Sequence, residues 1–180
     1  MTWHRLSVTL SETPMTRFVI DSTTTVLLDY LETRGLDSDS FANIREPLET
    51  TLYTYLSSRH LQTARIESFD PVADDTATEW FDLTYERVSP DDCGHVEGGL
   101  SAADFERYRE ELSTRLQGLG PLPSATDYRI LLGLVSENDY GQDPPSIDGW
   151  AETAPRTAPS ATPDVDAGQQ PDLTWYGHFR

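Results

Sequence analysis

The first hydrophobic pattern along the chain is a simple alternation. In residues 5–10, aliphatic side chains alternate with polar ones, at Leu6, Val8 and Leu10. This period of two is typical of a half-buried strand. The sequence therefore predicts a strand over residues 5–10, and the short apolar run 18–21 predicts a second strand.

Residues 22–34 are compatible with two structures. Apolar residues recur at helical spacing between Val26 and Leu31, and Gly35 is a good helix stop. Against this, the run Thr23–Thr25 favours a strand because its side chains are β-branched. A helix is predicted here, with a strand as the alternative.

A further helix is predicted from Pro47 to about His60. Proline fits the first turn of a helix, where its missing N–H needs no partner. One apolar stripe follows at helical spacing: Leu48, Leu52, Tyr55 and Leu56.

The middle of the chain predicts a β-hairpin. Two strands, 63–69 and 78–88, flank an acidic segment rich in turn-forming residues that includes Asp70, Asp74 and Asp75. In the second strand the two faces carry different residues: Phe81, Leu83 and Tyr85 on one, and Trp80, Asp82, Thr84 and Glu86 on the other.

The clearest helix begins at its capping residue Ser101 and ends at Gly118. Its buried stripe consists of Phe105, Tyr108, Leu112 and Leu116. Residues 128–135 are apolar at both alternations, as in a central strand covered on both faces. Together these elements predict an α+β fold, in which two to three helices pack on a small mixed sheet that contains the hairpin.

The composition changes towards the C-terminus. From residue 144 onward, 6 prolines punctuate a mixture of Ala, Thr, Ser and Asp, which buries too little apolar surface to offset its ordering entropy. Residues 1–143 are therefore predicted to form one α+β domain, and 144–180 an extended arm. The arm is predicted to dock on a neighbouring molecule through aromatic residues: Trp150, Trp175, Tyr176 and Phe179.

The charge of the chain predicts a salt-rich environment. There are 31 Asp and Glu residues against 13 Arg, no Lys, and a net charge of -18. At molar salt the Debye length falls to about 3 Å, which screens the repulsion among so many carboxylates. This balance resembles proteins of salt-accumulating halophiles and their viruses, so a virion or the cytoplasm of a halophilic host is the expected location.

The same composition argues against several partners. Nucleic acid is disfavoured because cations are not clustered anywhere in the chain. A membrane is disfavoured because no apolar run approaches the roughly 20 residues that a span requires. The start of the chain has no signal-peptide apolar region, so we expect a soluble protein that is not exported by a cleaved signal.

Candidate chemistry is sparse. Without lysine there is neither a Schiff-base lysine nor a phosphate-loop lysine. A single cysteine excludes an internal disulfide and a multi-cysteine zinc site. Cys93 and His95 could ligate a metal or form a nucleophile pair, but the carboxylates beside them raise the thiol pKa and favour an inert acidic loop. No catalytic, cofactor-binding or metal-binding residue is predicted, and the protein is expected not to be an enzyme.

The order of elements from Pro47 to Val135, α-β-β-α-β with an acidic hairpin turn, resembles small α+β proteins of tailed viruses, the head-tail connectors and tail terminators. The resemblance implies a ring of copies whose hairpin turns, 70–75, and C-terminal arms, 150–180, grip their neighbours. On this basis the predicted function is that of a structural virion component. Two alternatives stay open: a small enzyme or metal-binding module centred on Cys93 and His95, and a regulatory domain that binds a protein partner.

Overall fold

A computed structural model describes residues 16–72, 76–87, 102–156 and 173–178, and the backbone of residues 3–10. Within these ranges the chain forms strands and helices in an α+β arrangement, so the predicted fold class is confirmed. The elements in chain order are β1 (Trp3–Leu10), α1 (Thr16–Arg34), α2 (Ser38–Ser57), β2 (Leu61–Phe69), β3 (Ala77–Arg87), α3 (Ala102–Gln117), β4 (Asp127–Val135), β5 (Ala151–Glu152) and β6 (Leu173–His178).

The strands form one mixed sheet in the order β1-β3-β2-β4-β6-β5. β1 runs parallel to β3, and every other pair of neighbours is antiparallel. The predicted hairpin is present as β2 and β3. The predicted central strand is present as β4, which lies between β2 and β6 and is buried from Tyr128 to Leu134. The two edge strands of the sheet are therefore β1 and the two-residue β5.

The three helices pack on one face of the sheet, and the hydrophobic core lies between them. Phe81, Leu83 and Tyr85 of β3 point into this core, as the alternation predicts. Tyr30 of α1 stacks on Phe81 with ring centroids 5.7 Å apart. α1 contacts both α2 and α3, so it lies between them. None of the helices described has an apolar stretch long enough to cross a membrane.

The strand predicted over residues 18–21 is wrong, and the helix predicted after it is confirmed. α1 begins at Thr16, so residues 18–21 form its first turns. The threonine run does not interrupt the helix because Thr24 and Thr25 donate to backbone carbonyls one turn earlier, at distances of 3.2 Å and 2.7 Å. Their hydroxyls are thus satisfied within the helix, and the helical apolar stripe of α1 outweighs the local preference of β-branched residues for a strand.

The helix predicted to begin at Pro47 begins earlier. α2 starts at Ser38, and Asp37 caps it by accepting from the Ser40 amide at 3.1 Å. Pro47 lies inside the helix on its exposed side. There the proline costs one backbone hydrogen bond, to the carbonyl of Asn43, without disturbing the buried stripe.

The C-terminal segment extends the same sheet. β5 and β6 pair with each other, and β6 pairs with β4 over six residues. The arm predicted over 144–180 therefore contributes strands to the fold of residues 1–143. Residues 173–178 pair with β4 of their own chain, and docking of the arm on a neighbouring molecule stays a prediction.

Candidate functional site at the C-terminal edge of the sheet

The edge of β4 that faces away from β2 is the centre of this site, and we call it the β4 edge. β4 is buried on both faces, so an uncovered β4 edge would present an apolar strand with unpaired main-chain groups. β6 covers it in a register that sets Leu131 opposite Gly177 and Gly133 opposite Trp175. β6, the strand that covers this edge, follows residue 156 in the sequence only after the segment 157–172.

Trp175 packs on the sheet face opposite the helices. A Cβ placed on Gly133 would lie 3.1 Å from the indole ring, so the absence of a side chain there makes room for it. The Arg65 guanidinium lies 4.9 Å from the indole of Trp175 and 5.3 Å from that of Trp80. Trp175 is thus fixed from two sides, by a glycine of β4 and by a buried arginine of β2.

Of two more predicted partner-binding residues, one lies in β6 and the other packs against it. Tyr176 contacts Tyr55 of α2, with ring centroids 6.0 Å apart. Trp150 is buried and contacts the ring of His178 at 5.3 Å. The structure therefore brings Trp150, Trp175 and Tyr176 together around one strand, on both of its faces.

The remaining predicted site residues are elsewhere. Asp70 lies in the hairpin turn, half-buried, and accepts a hydrogen bond from the Val72 amide at 2.9 Å. Asp74, Asp75 and Phe179 lie outside the described residues, and the same holds for Cys93 and His95. Among the residues that are described, no three His, Cys, Asp or Glu side chains are arranged to hold a metal ion.

Buried charges line the sheet face that carries Trp175. Arg65 forms two hydrogen bonds with Asp82, of 2.6 Å and 2.7 Å. Glu67 accepts from Arg129 at 2.8 Å, and all four residues are at most 8% exposed. The alternation along β2 and β3 places Arg65, Glu67 and Asp82 on this face, but a polar face usually indicates solvent. The signal that could have indicated burial is the opposite charge of residues that face each other on neighbouring strands, Arg65 with Asp82 and Glu67 with Arg129.

The charged pair Glu67–Arg129 also holds the segment that follows β5. Arg129 donates from Nη2 to the carbonyl of Ala154 at 2.7 Å. The backbone N–H of Arg156 donates to the two carboxylate oxygens of Glu67, at 3.1 Å and 3.3 Å. The Arg156 guanidinium lies 3.7 Å from the centre of the Phe69 ring. The segment after β5 is therefore bound to β2 and β4 mainly through its main-chain groups, the Ala154 carbonyl and the Arg156 N–H.

Three side chains around β6 leave buried polar atoms unsatisfied. Tyr55 Oη, Trp80 Nε1 and Trp150 Nε1 have no hydrogen-bond partner among the described residues. Tyr55 and Trp150 contact β6 rings directly, and Trp80 shares Arg65 with Trp175. Each buried, unpaired polar group costs about 1–3 kcal/mol. β6 thus pairs with the main chain of β4 and packs on apolar surface, but it leaves these three polar side-chain atoms without a hydrogen bond.

Replacing Tyr55 by Phe should leave the free energy of unfolding unchanged or raise it by about 1 kcal/mol, because the lost hydroxyl has no described partner. Burial, with a smaller effect of Tyr176, raises the pKa of Tyr55 from 10.0 to about 12. The unfolded chain therefore loses this proton first, and stability falls as the pH rises through that interval.

Urea unfolding at about pH 8 and about pH 11 measures both effects, and the alkaline loss should be smaller in Tyr55→Phe than in the wild type. A variant that loses more than about 1 kcal/mol at the lower pH would indicate that the hydroxyl does have a partner.

Comparison with known proteins identifies the family. The family model described as Bacterial HORMA domain 2 matches residues 6–164. The chain belongs to this family. No curated protein sequence matches the chain. The matched HORMA region contains the three helices, most of β1, the whole of β2 to β5 and the charged pair Glu67–Arg129, and it ends before β6 begins.

Membership of the HORMA family corrects the predicted function. HORMA domains are generally non-catalytic modules that bind protein partners. The resemblance to head-tail connectors is therefore wrong, and so are the virion and viral-tail roles drawn from it. The alternative of a regulatory domain that binds a protein partner agrees with the family. The expectation of a non-enzymatic protein agrees with it as well.

Proposed function

We propose that this HORMA domain is a regulatory module that binds an extended segment of a partner protein at the β4 edge. The observation that carries the proposal is the way this edge is covered. A strand that is apolar on both faces receives its last neighbour from the distant C-terminus, through six paired residues. Main-chain pairing of this kind gives affinity for any extended segment of suitable shape.

The side chains around β6 support recognition of a particular kind of strand. Gly133 leaves a flat surface on which Trp175 lies, and Tyr55 and Trp150 form aromatic contacts on the other face. A partner segment with a large flat side chain over Gly133 would use the same surface. If it also offered acceptors to Trp150 Nε1 and Tyr55 Oη, it would satisfy groups that β6 leaves unpaired.

Trp150, Trp175 and Tyr176 are thus the proposed partner-binding residues, with two different roles. Trp150 belongs to the surface that receives a strand, whereas Trp175 and Tyr176 belong to the strand that a partner replaces. An association of identical copies is one form that this binding could take, since each copy carries both parts. Light scattering of the purified chain measures whether copies associate.

Selection of peptides from a displayed random library against the full chain tests the proposed function. We expect the selected peptides to be extended and to speed the amide hydrogen exchange of residues 173–178. Peptides that bind without changing the exchange of β6 would contradict the proposal.

A further inference from the structure

Glu67 and Arg129 form hydrogen bonds both with each other and with the main chain of residues 154–156. The two residues are direct cross-strand neighbours in β2 and β4, and their side chains are almost completely buried. Each uses part of its hydrogen-bonding capacity on the other, through Arg129 Nε and a Glu67 carboxylate oxygen at 2.8 Å. Each also reaches one main-chain group of residues 154–156. The pair therefore serves as a structural ion pair and as a receptor for a polypeptide main chain.

Recognition of the main chain has a physical consequence. Arg129 binds a carbonyl and Glu67 binds the N–H two residues later, which is the pattern that one side of an extended segment offers. If residues 154–156 leave, a buried carboxylate and a buried guanidinium each lose a charge-assisted hydrogen bond in a site with little access to water. Departure is costly unless a second main chain takes the same place.

We propose that the Glu67–Arg129 pair is a latch that holds the main chain of residues 154–156 and thereby controls how readily β5 and β6 leave the β4 edge. The coupling to the strands is direct, because the amide of Thr153 donates to the carbonyl of Trp175 at 2.9 Å. The regulatory meaning of the latch rests on the proposed function, since release of β6 is what admits a partner strand.

Glu79 provides a matched control for this latch. It also sits on a central strand, is almost completely buried, and forms two hydrogen bonds with an arginine, Arg34, at 2.8 Å and 2.9 Å. Its partners lie on α1, where Tyr30 also donates to it at 2.6 Å. Glu67→Gln and Glu79→Gln therefore remove the same charge from similar environments, and the described contacts of Glu79 do not include residues 153–156.

Amide hydrogen exchange of the free, full-length chain tests the latch. In Glu67→Gln we expect residues 173–178 to exchange roughly tenfold faster relative to the core amides of β2, as for loss of one hydrogen bond to a charged group. In Glu79→Gln the ratio of β6 to core exchange should stay at the wild-type value. Arg129→Lys keeps a cation beside Glu67 but replaces the two separate nitrogens, Nε for Glu67 and Nη2 for the Ala154 carbonyl, by a single one. It should therefore speed β6 exchange as Glu67→Gln does.

Two results would overturn the latch. One is a ratio of β6 to core exchange in Glu67→Gln that stays at the wild-type value. The other is a ratio that rises equally in Glu67→Gln and Glu79→Gln, which would assign the effect to general loss of stability. Because these measurements need no partner, their outcome is independent of whether selected peptides bind. Failure of the latch would in turn leave the binding of such peptides untouched.

Discussion

Replacing Asp82 by Ala is expected to lower the free energy of unfolding by about 3–5 kcal/mol, the range for a buried ion pair that loses one partner. Asp82 is fully buried, and Arg65 depends on it for hydrogen bonds of 2.6 Å and 2.7 Å. In the variant the guanidinium would remain near two indole rings, and its nearest described carboxylate would be that of Glu67, at 3.9 Å. Urea unfolding measures the loss.

Two controls separate the buried charge from general effects of the substitution. Asp139→Ala removes an exposed partner of Arg59, at 3.3 Å, and should cost no more than about 1 kcal/mol. The double variant Arg65→Met with Asp82→Leu removes both charges and should recover most of the loss, because neither side chain then needs a partner. A single variant Asp82→Ala that is no less stable than Asp139→Ala would contradict the interpretation.

Replacing Gly133 by Val should detach β6 while the helices and the rest of the sheet stay folded. A Cβ at this position meets the Trp175 ring at 3.1 Å and the Leu173 side chain at 3.2 Å, and the two further methyl groups of valine would overlap them. Overpacking of this kind costs about 1–3 kcal/mol, which β6 can escape by opening. We therefore expect faster exchange of its amides and a red-shifted tryptophan emission.

Gly120→Val is the matched control, because a Cβ there has no neighbour within 4 Å. It should leave β6 exchange and tryptophan emission as in the wild type. If Gly133→Val instead leaves β6 exchange unchanged, the indole does not lie on Gly133 as described. If all amides exchange faster together, β6 is not separable from the rest of the fold.

The elements that sequence patterns predicted well are those with one clear period. The alternation in β2, β3 and β1, and the stripe of α3, placed these elements within a few residues of their bounds. The errors occurred where a local preference competed with a longer pattern. Residues 18–21 are an apolar run too short to distinguish strand from helix, and Pro47 is a favourable helix start that the chain uses inside a helix.

The candidate site could be predicted only in part. The aromatic residues Trp150, Trp175 and Tyr176 were evident from the sequence, but their position beside β4 depends on pairing between distant segments, which no local pattern encodes. The burial of Asp82 and its pairing with Arg65 were not predicted, because alternation gives the side of a strand and not what covers it. Element order alone suggested the wrong family, since unrelated α+β folds share it.

The most direct measurement of the central claim is strand exchange at the β4 edge. A protease site introduced between residues 157 and 172 of the full chain allows the folded protein to be cut, after which a labelled peptide of residues 171–180 is added. We predict that the cut C-terminal segment stays bound and exchanges with the labelled copy, and that Gly133→Val weakens this binding. The uncut chain should resist entry, because its tethered strand competes at an effective concentration on the order of millimolar. A labelled peptide that never enters the cut protein, or that binds it equally well after Gly133→Val, would contradict the account.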